Sequence, residues 1–149
     1  MRSGLPVRLV GWDVARRPDV LVTGADLQRL TDSPQPLAQF ATAVTGRLWQ
    51  FATAHHHRGM DLPDVVAMAL ALRPDLGAWR RCYADVECRG ELTRGACVIE
   101  HLGVTGAEPN VTLCAGADGP AFRRMFFDAL GLAEPADNIA AAESEETVR

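Results

Sequence analysis

Three consecutive histidines and one aspartate at a predicted helix start are the residues best suited to chemistry. His55, His56 and His57 close one predicted helix, and Asp64 lies at the start of the next. Imidazoles bind transition metals and carry protons near neutral pH. Consecutive helical residues point about 100° apart, however, so the three rings do not converge on one ion. The triplet is better interpreted as a polar helix end, where the C-terminal dipole favours histidine.

Asp64 has two interpretations. In the segment Asp61-Leu62-Pro63-Asp64, Asp61 suits the N-cap, Pro63 suits the first turn, and Asp64 completes a capping pair. That structural role accounts fully for the carboxylate. The other role is metal ligation, because carboxylate oxygens are the hard ligands that calcium prefers. The residues alone leave both open.

The composition indicates an ordinary globular protein. The chain has 149 residues, of which 48% are hydrophobic, enough for one domain with a core. All 15 basic residues are arginine and the net charge is −4, which disfavours nucleic acid as a partner. The longest uncharged apolar run, 65–72, is too short to span a membrane, and no secretion signal precedes it. We therefore expect a cytoplasmic protein without a membrane partner.

The four cysteines lack the spacing of a zinc site or a redox pair. They are predicted to be small apolar residues in a reducing cytosol. They are Cys82, Cys88, Cys97 and Cys114. The three tryptophans are scattered along the chain, which predicts packing rather than a platform for stacked bases.

The first half of the chain predicts a strand followed by helices. Residues 6–10 form a short apolar run, brief enough for a strand buried on both faces. Thr23 and Asp26 have the spacing of a capping box, which predicts a helix from that point. A longer helix is predicted from 36 to about 57, because apolar residues recur at helical spacing. These residues are Leu37, Phe40, Ala41, Val44, Leu48 and Phe51.

The second half predicts a hairpin, one further strand and a helix. Residues 83–88 alternate as a strand does, and 96–99 form a second short apolar run, so the two are expected to pair. Another strand is predicted at 111–114. A final helix is predicted between Asp118 as N-cap and Gly131 as C-cap.

These elements indicate an α/β fold. Strands and helices interleave early and pair as a hairpin late, which is typical of a mixed open sheet with flanking helices. Residues 1–132 are predicted to be one domain. The acidic segment 133–149 has no apolar period and is predicted to be a disordered tail.

The order of several segments resembles the inosine/uridine-preferring nucleoside hydrolase family. The match begins at 7–14 and continues through the long helix to Pro63-Asp64. Three later segments are similar to the family's Leu-Asp-Pro-Glu-Leu turn, its late hairpin and its ending. They are Leu72-Arg73-Pro74-Asp75-Leu76, Glu91-Leu92-Thr93-Arg94-Gly95 and Pro109-Asn110-Val111. The likeness covers about residues 5 to 132 and implies the C-terminal half of that fold.

The resemblance implies hydrolysis of a ribonucleoside to ribose and free base. In the family, Ca²⁺ held largely by an N-terminal Asp-x-Asp-x-x-x-Asp-Asp cluster orients the ribose and an attacking water. An adjacent His-Asp pair at a helix start adds a ligand and a proton donor for the departing base. Here the pair reads Pro63-Asp64. Asp64 is therefore the predicted metal ligand, whereas Pro63 has no titratable proton to deliver.

The rest of the family's calcium site has no counterpart in this sequence. The chain contains no Asp-x-Asp pair, and one carboxylate cannot supply the roughly six to eight oxygens that calcium requires. We expect no catalytic residue here and no calcium bound by this chain alone. By resemblance to the family's flap over the nucleobase, Phe51 and His55 are the predicted substrate-binding residues. His55 is also the candidate to replace the donor missing at position 63.

The leading prediction is a truncated nucleoside hydrolase-family protein that is inactive as an isolated chain. Its first strand would be exposed at one edge, which favours association with another polypeptide or with further copies of itself. The alternative is a non-catalytic interaction or oligomerisation module that keeps the fold and has lost the chemistry. A third interpretation is that Met1 is a misassigned start.

Overall fold

The structure, a computed structural model, describes residues 1, 3–55 and 57–132. The prediction of a disordered tail at 133–149 lies outside the described residues. The elements in chain order are β1 (Val7–Leu9), α1 (Trp12–Ala15), α2 (Gly24–Asp32), α3 (Pro36–Ala54), α4 (Pro63–Leu72), a 3₁₀ turn (Pro74–Leu76), β2 (Gly77–Cys82), β3 (Ala84–Val86), β4 (Cys97–Ile99), β5 (Val111–Ala117) and α5 (Gly119–Ala129).

β5 is the centre of a three-stranded mixed sheet with the order β1-β5-β2. It pairs in parallel with β1, where Val7 lies opposite Val111, and antiparallel with β2, where Cys82 lies opposite the same valine. β3 and β4 form a separate antiparallel pair. The predicted α/β fold with a mixed sheet, flanking helices and a late hairpin is confirmed.

Two strands differ from the sequence prediction. β1 is not buried on both faces, because Arg8 is exposed and β1 lies at an edge among the described strands. β2 was not predicted at all, since Gly77–Cys82 carries two arginines and no clear apolar alternation. Its backbone nevertheless pairs with β5 along its whole length. This segment forms a strand because it pairs with β5, which is distant in sequence, and not because of its own residue pattern.

Two predicted helix caps are present and one is not. The capping box of α2 is present, with the Thr23 hydroxyl accepting from the Asp26 amide and the Asp26 carboxylate accepting from the Thr23 amide. Asp118 caps α5 through the Ala121 amide at 2.9 Å. At α4, however, the N-cap is Leu62, without a side-chain hydrogen bond. The prediction that Asp61 caps α4 is therefore wrong.

Apolar side chains pack on both faces of the sheet. Consecutive residues of β5 point in opposite directions, so Leu113 and Cys114 belong to different clusters. The first cluster joins α1, α4 and α5 to the sheet through Val14, Val66, Leu70, Cys114 and Phe122. A further cluster joins α2 and α3 to α5 through Leu30, Ala38, Met60 and Phe127. Of the cysteines, Cys82 and Cys114 are buried as predicted, whereas Cys88 and Cys97 are exposed.

α3 packs in an unexpected orientation. The helix ends at Ala54, a few residues before the predicted end, and its buried residues are the small Ala38 and Ala52. The larger apolar residues at helical spacing would ordinarily face a core. Here they are exposed: Leu37, Phe40, Val44, Leu48 and Phe51. Within the described ranges, no helix is both long enough and apolar enough to cross a membrane.

Candidate functional site

The loop before α4 is held by a pair of backbone hydrogen bonds to the segment before α2. The Val22 amide donates to the Met60 carbonyl at 3.0 Å, and the Met60 amide donates to the Val22 carbonyl at 2.8 Å. Met60 is buried. The neighbouring Gly59 runs so close to this pair that a Cβ would lie 2.8 Å from the Val22 carbonyl oxygen. The loop that leads to Asp64 is therefore fixed in position.

Asp61 ties this loop to α1. Its carboxylate accepts a hydrogen bond from the indole N–H of Trp12, and the Arg16 Nε lies 3.8 Å from the same oxygen. The Asp61 side chain is only 13% exposed. The carboxylate is thus committed to a contact 49 residues away, which explains why it does not cap α4. Trp12 itself is largely exposed, so its role is this hydrogen bond rather than the predicted packing.

Asp64 lies in the first turn of α4 and is exposed. In the described part of the chain its carboxylate has no hydrogen bond and no ion pair. It borders an apolar groove of about 320 Å³ between α4 and α5. The groove is lined by Asp64, Val65, Met68, Ala69, Leu72, Phe122, Met125, Phe126 and Ala129. Asp64 is therefore a carboxylate that the described structure does not use.

The donor set around Asp64 does not fit a calcium ion. Calcium takes roughly six to eight oxygen ligands at short distance. Over residues 1, 3–55 and 57–132, no group of three or more His, Cys, Asp or Glu side chains is placed to hold a metal ion. Asp64 alone supplies one carboxylate.

Phe51 and His55 lie together at the end of α3. Their ring centroids are 4.1 Å apart, and the His55 Nδ1 donates to the Phe51 carbonyl at 2.8 Å. His57 lies near both, at 6.2 Å from the Phe51 ring and 6.3 Å from the His55 ring. Among the described residues, no hydrogen bond, ion pair or ring contact joins this aromatic pair to Asp64. The structure brings Phe51 and His55 to each other but not to the predicted ligand.

A second cleft lies beside the loop before α4, and the sequence analysis missed it. It has a volume of about 240 Å³ and is lined by Arg16, Pro18, Leu21, His57, Arg58, Gly59 and Asp61. His57, rather than His55, is the histidine that shares a cleft with Asp61. The sequence contains no local signal for it, because its walls come from two segments about forty residues apart.

The buried ion pair between Asp26 and Arg123 belongs to the scaffold. Arg123 donates to both carboxylate oxygens of Asp26, at 3.0 and 2.7 Å, and to the Leu21 carbonyl at 2.7 Å. Asp26 is only 4% exposed. Burial alone would raise the pKa of Asp26, but the hydrogen bonds from Arg123 and Thr23 outweigh it and hold that pKa below its usual value. This ion pair joins α2 to α5.

Comparison with known proteins identifies the fold. The sequence model of the inosine-uridine preferring nucleoside hydrolase family matches residues 1–124. The chain belongs to this family. The resemblance drawn from the order of segments is therefore confirmed.

Curated members of the nucleoside hydrolase family are considerably longer than this chain. The pyrimidine-specific ribonucleoside hydrolase RihA of Shewanella baltica is 28% identical over 140 residues, covering 90% of this chain and 42% of that protein. RihA of Klebsiella pneumoniae is 30% identical over 127 residues, covering 81% and 39%. The chain thus spans about two fifths of the length of these relatives.

Solved structures of nucleoside hydrolases superpose on the chain over about two fifths of their own length. An inosine-guanosine nucleoside hydrolase has a TM-score of 0.71 at 25% identity, covering 87% of this chain and 40% of that one. A plant nucleoside hydrolase has a TM-score of 0.74 at 18% identity, a level that supports the fold alone.

Proposed function

We propose that this chain supplies part of a nucleoside hydrolase, an enzyme that cleaves a ribonucleoside to ribose and free base, and that it is inactive alone. The observation that carries the proposal is the position of Asp64. It lies exposed in the first turn of α4 with no partner in the described structure. A carboxylate without a structural role, at the position where the family places a calcium ligand, is best explained as a ligand to a metal ion.

Inactivity of the isolated chain follows from the number of donors. The described residues bring no group of three or more His, Cys, Asp or Glu side chains together, so they do not form the oxygen cage that calcium needs. The remaining ligands must come from another polypeptide segment. β1 offers an unpaired edge among the described strands where such a segment could add.

The proton for the departing base would come from a residue other than Pro63. We propose His55, with Phe51 beside it as the surface for the base. The Nδ1–H of His55 donates to the Phe51 carbonyl, so Nε2 points away from that bond. In the neutral ring this nitrogen carries a lone pair, and only the imidazolium has a proton to give from it.

Ribose release from inosine and from uridine tests the proposal. The chain would be assayed alone and after mixing with the N-terminal segment of a RihA relative that lies outside the match. We expect no ribose from the chain alone and calcium-dependent release from the mixture. Asp64→Asn should lower that release, because a neutral amide oxygen holds the cation more weakly than a carboxylate does.

The matched control is Asp128→Asn. Asp128 is an exposed aspartate on α5 without a side-chain partner among the described residues, so its loss should leave the release unchanged. Chelator-sensitive ribose release by the purified chain alone would contradict the proposed inactivity. Equal activity of the Asp64→Asn mixture would remove Asp64 from the site.

A second candidate function is a non-catalytic interaction module. It is favoured by the large apolar residues of α3, which are exposed although they lie on one face of the helix. The same assay separates the two functions. If both the chain and the mixture release no ribose, and calorimetry detects no calcium binding in either, the module is the better description.

A further inference from the structure

The cleft beside the loop before α4 carries a local excess of positive charge, although the chain as a whole has a net charge of −4. Two guanidinium groups, from Arg16 and Arg58, line it together with the imidazole of His57. Among the described lining residues, Asp61 is the only acidic one. Its carboxylate already accepts a hydrogen bond from Trp12 and lies 3.8 Å from Arg16 Nε. The second guanidinium is therefore not balanced by a carboxylate in the cleft.

The two arginines of the cleft keep their hydrogen-bond donors free. The approach of Arg16 to Asp61, at 3.8 Å, is too long for a hydrogen bond. Arg58 is exposed, and over residues 1, 3–55 and 57–132 its guanidinium makes no hydrogen bond and no ion pair. A guanidinium presents its N–H groups in a planar fork that matches the oxygens of phosphate groups. Both side chains are therefore suited to bind an oxyanion in this cleft.

Two consecutive backbone amides in the cleft wall also lack an acceptor. They belong to Arg58 and Gly59, and neither donates a hydrogen bond to another described residue, whereas the next amide, of Met60, donates to the Val22 carbonyl. Gly59 is buried, and buried backbone N–H groups are almost always hydrogen-bonded in native proteins. Successive free N–H groups of the backbone also form anion-binding concavities. The Gly59 amide therefore needs an acceptor from outside the described chain.

We propose that this cleft binds a phosphate group, either as the free ion or as part of a phosphorylated sugar. A phosphate group has enough acceptor oxygens to meet both guanidinium groups and the free amides at once, whereas a carboxylate has fewer. The volume of the cleft is about 240 Å³, below the roughly 300 to 1,000 Å³ of pockets that hold drug-sized ligands. The cleft therefore suits a small anion. On a phosphorylated sugar, a hydroxyl would donate to the Asp61 carboxylate.

Phosphate binding does not depend on the proposed hydrolase activity. The cleft uses neither Asp64 nor a calcium ion, and the residues that line it all belong to this chain. The chain alone should therefore bind phosphate, even though it is expected to release no ribose. Failure of the phosphate site and failure of the hydrolase proposal are thus distinguishable.

Calorimetry with the full chain, in calcium-free buffer at constant ionic strength, tests the phosphate site. Inorganic phosphate and ribose 5-phosphate are the probes, and ribose without a phosphate group is the control. We expect both phosphates to bind with a Kd on the order of 1 mM or tighter, and ribose to give no heat of binding. A Kd for ribose 5-phosphate about tenfold lower than that for inorganic phosphate identifies a phosphorylated sugar as the ligand, whereas an equal or higher Kd identifies the free ion. If neither phosphate binds at about 10 mM, the proposal is wrong.

Arg58→Gln tests the location of the site. The substitution removes one guanidinium from the cleft and should raise the Kd for inorganic phosphate about tenfold or more. The matched control is Arg47→Gln, which removes the same charge from an exposed arginine of α3 that does not line the cleft. Because salt screens charges outside the cleft, the control should change the Kd by less than about twofold. Both arginines are exposed, so circular dichroism should show both variants folded. Equal weakening by the two substitutions would mean that phosphate responds only to net charge, and would overturn the proposal.

NMR provides a second measurement of the same site. Phosphate should shift the amide resonances of Arg58 and Gly59, because their N–H groups acquire an acceptor. The Val66 amide in α4 already donates to the Leu62 carbonyl at 3.0 Å, so its resonance should stay unchanged. Binding that leaves the Arg58 and Gly59 resonances in place would put the anion elsewhere and refute the assignment.

Discussion

The first turns of α2 and α4 each contain an aspartate, and the two carboxylates have opposite surroundings. Asp26 in α2 is buried and accepts hydrogen bonds from Arg123 and Thr23. Asp64 in α4 is exposed and has no such contact in the described part of the chain. A carboxylate at a helix start is common on electrostatic grounds, so residue type and position do not distinguish the two. Their contacts do: Asp26 joins α2 to α5, whereas the Asp64 carboxylate contacts no hydrogen-bond or ion-pair partner among the described residues.

This contrast makes the capping explanation of Asp64 untenable. The capping box that the sequence predicts at Thr23 is present in full. At α4 the predicted partner, Asp61, is turned toward Trp12 and Arg16 instead. Asp64 therefore makes no capping hydrogen bond, and its remaining structural contribution is the weak interaction with the dipole of α4. The following substitutions test how much the contributions of the two aspartates to stability differ.

The largest effect is expected for Asp26→Ala. The change removes the carboxylate that accepts two hydrogen bonds from the half-buried Arg123 guanidinium, and breaking a buried ion pair typically costs about 3 to 5 kcal/mol of folding free energy. Urea unfolding followed by circular dichroism measures it, with Asp128→Ala as the control at an exposed helical position. A loss of less than about 1 kcal/mol would mean that the pair contributes no more than a surface ion pair does.

The Asp26 carboxylate should also determine how the stability of the chain depends on acidic pH. The folded-state pKa of Asp26 is lowered from its ordinary value, so its contribution to stability is complete above the unfolded pKa of about 3.9. That contribution is lost as the pH falls through the lower, folded-state pKa. The urea midpoint of the unchanged chain should therefore fall more steeply below about pH 4 than that of Asp26→Asn. Parallel curves for the two proteins would show that Asp26 is not the responsible group.

An intermediate effect is expected for Asp61→Ala. The change removes the hydrogen bond from Trp12 and the ion pair with Arg16, which together should contribute about 1 to 2 kcal/mol. The effect should be local, because the loop remains paired to Val22 through Met60. Hydrogen exchange measured by NMR should accelerate at the Trp12 indole N–H and the Arg16 amide, while the Val66 amide in α4 stays protected. Uniform acceleration along the chain would instead indicate global destabilisation.

The smallest effect on stability is expected for Asp64→Ala. The carboxylate loses only its favourable interaction with the start of α4, about 0.5 kcal/mol for an exposed group. Urea unfolding of Asp64→Ala and of Asp26→Ala gives the two losses in free energy of unfolding, which can be compared directly. If Asp64→Ala costs as much as Asp26→Ala, then Asp64 has a structural role that its exposure does not reveal, and its assignment as a free ligand is wrong.

Local sequence signals predicted most of the elements that need no distant partner. The capping box at Thr23 and the Asp118 cap depend on residues three positions apart, and the hairpin of β3 and β4 pairs residues no more than 15 positions apart. All three are present. The order of segments was enough to place the chain in its family.

Contacts between distant segments decided the rest, because no local pattern encodes them. The segment Gly77–Cys82 is a strand because it pairs with β5, although it contains two arginines. Asp61 does not cap α4 because its carboxylate accepts a hydrogen bond from Trp12, 49 residues away. The apolar spacing of α3 established a helix but not the direction that its large residues face. That direction was set by the small alanines, which allow close packing on α2 and leave the larger side chains exposed.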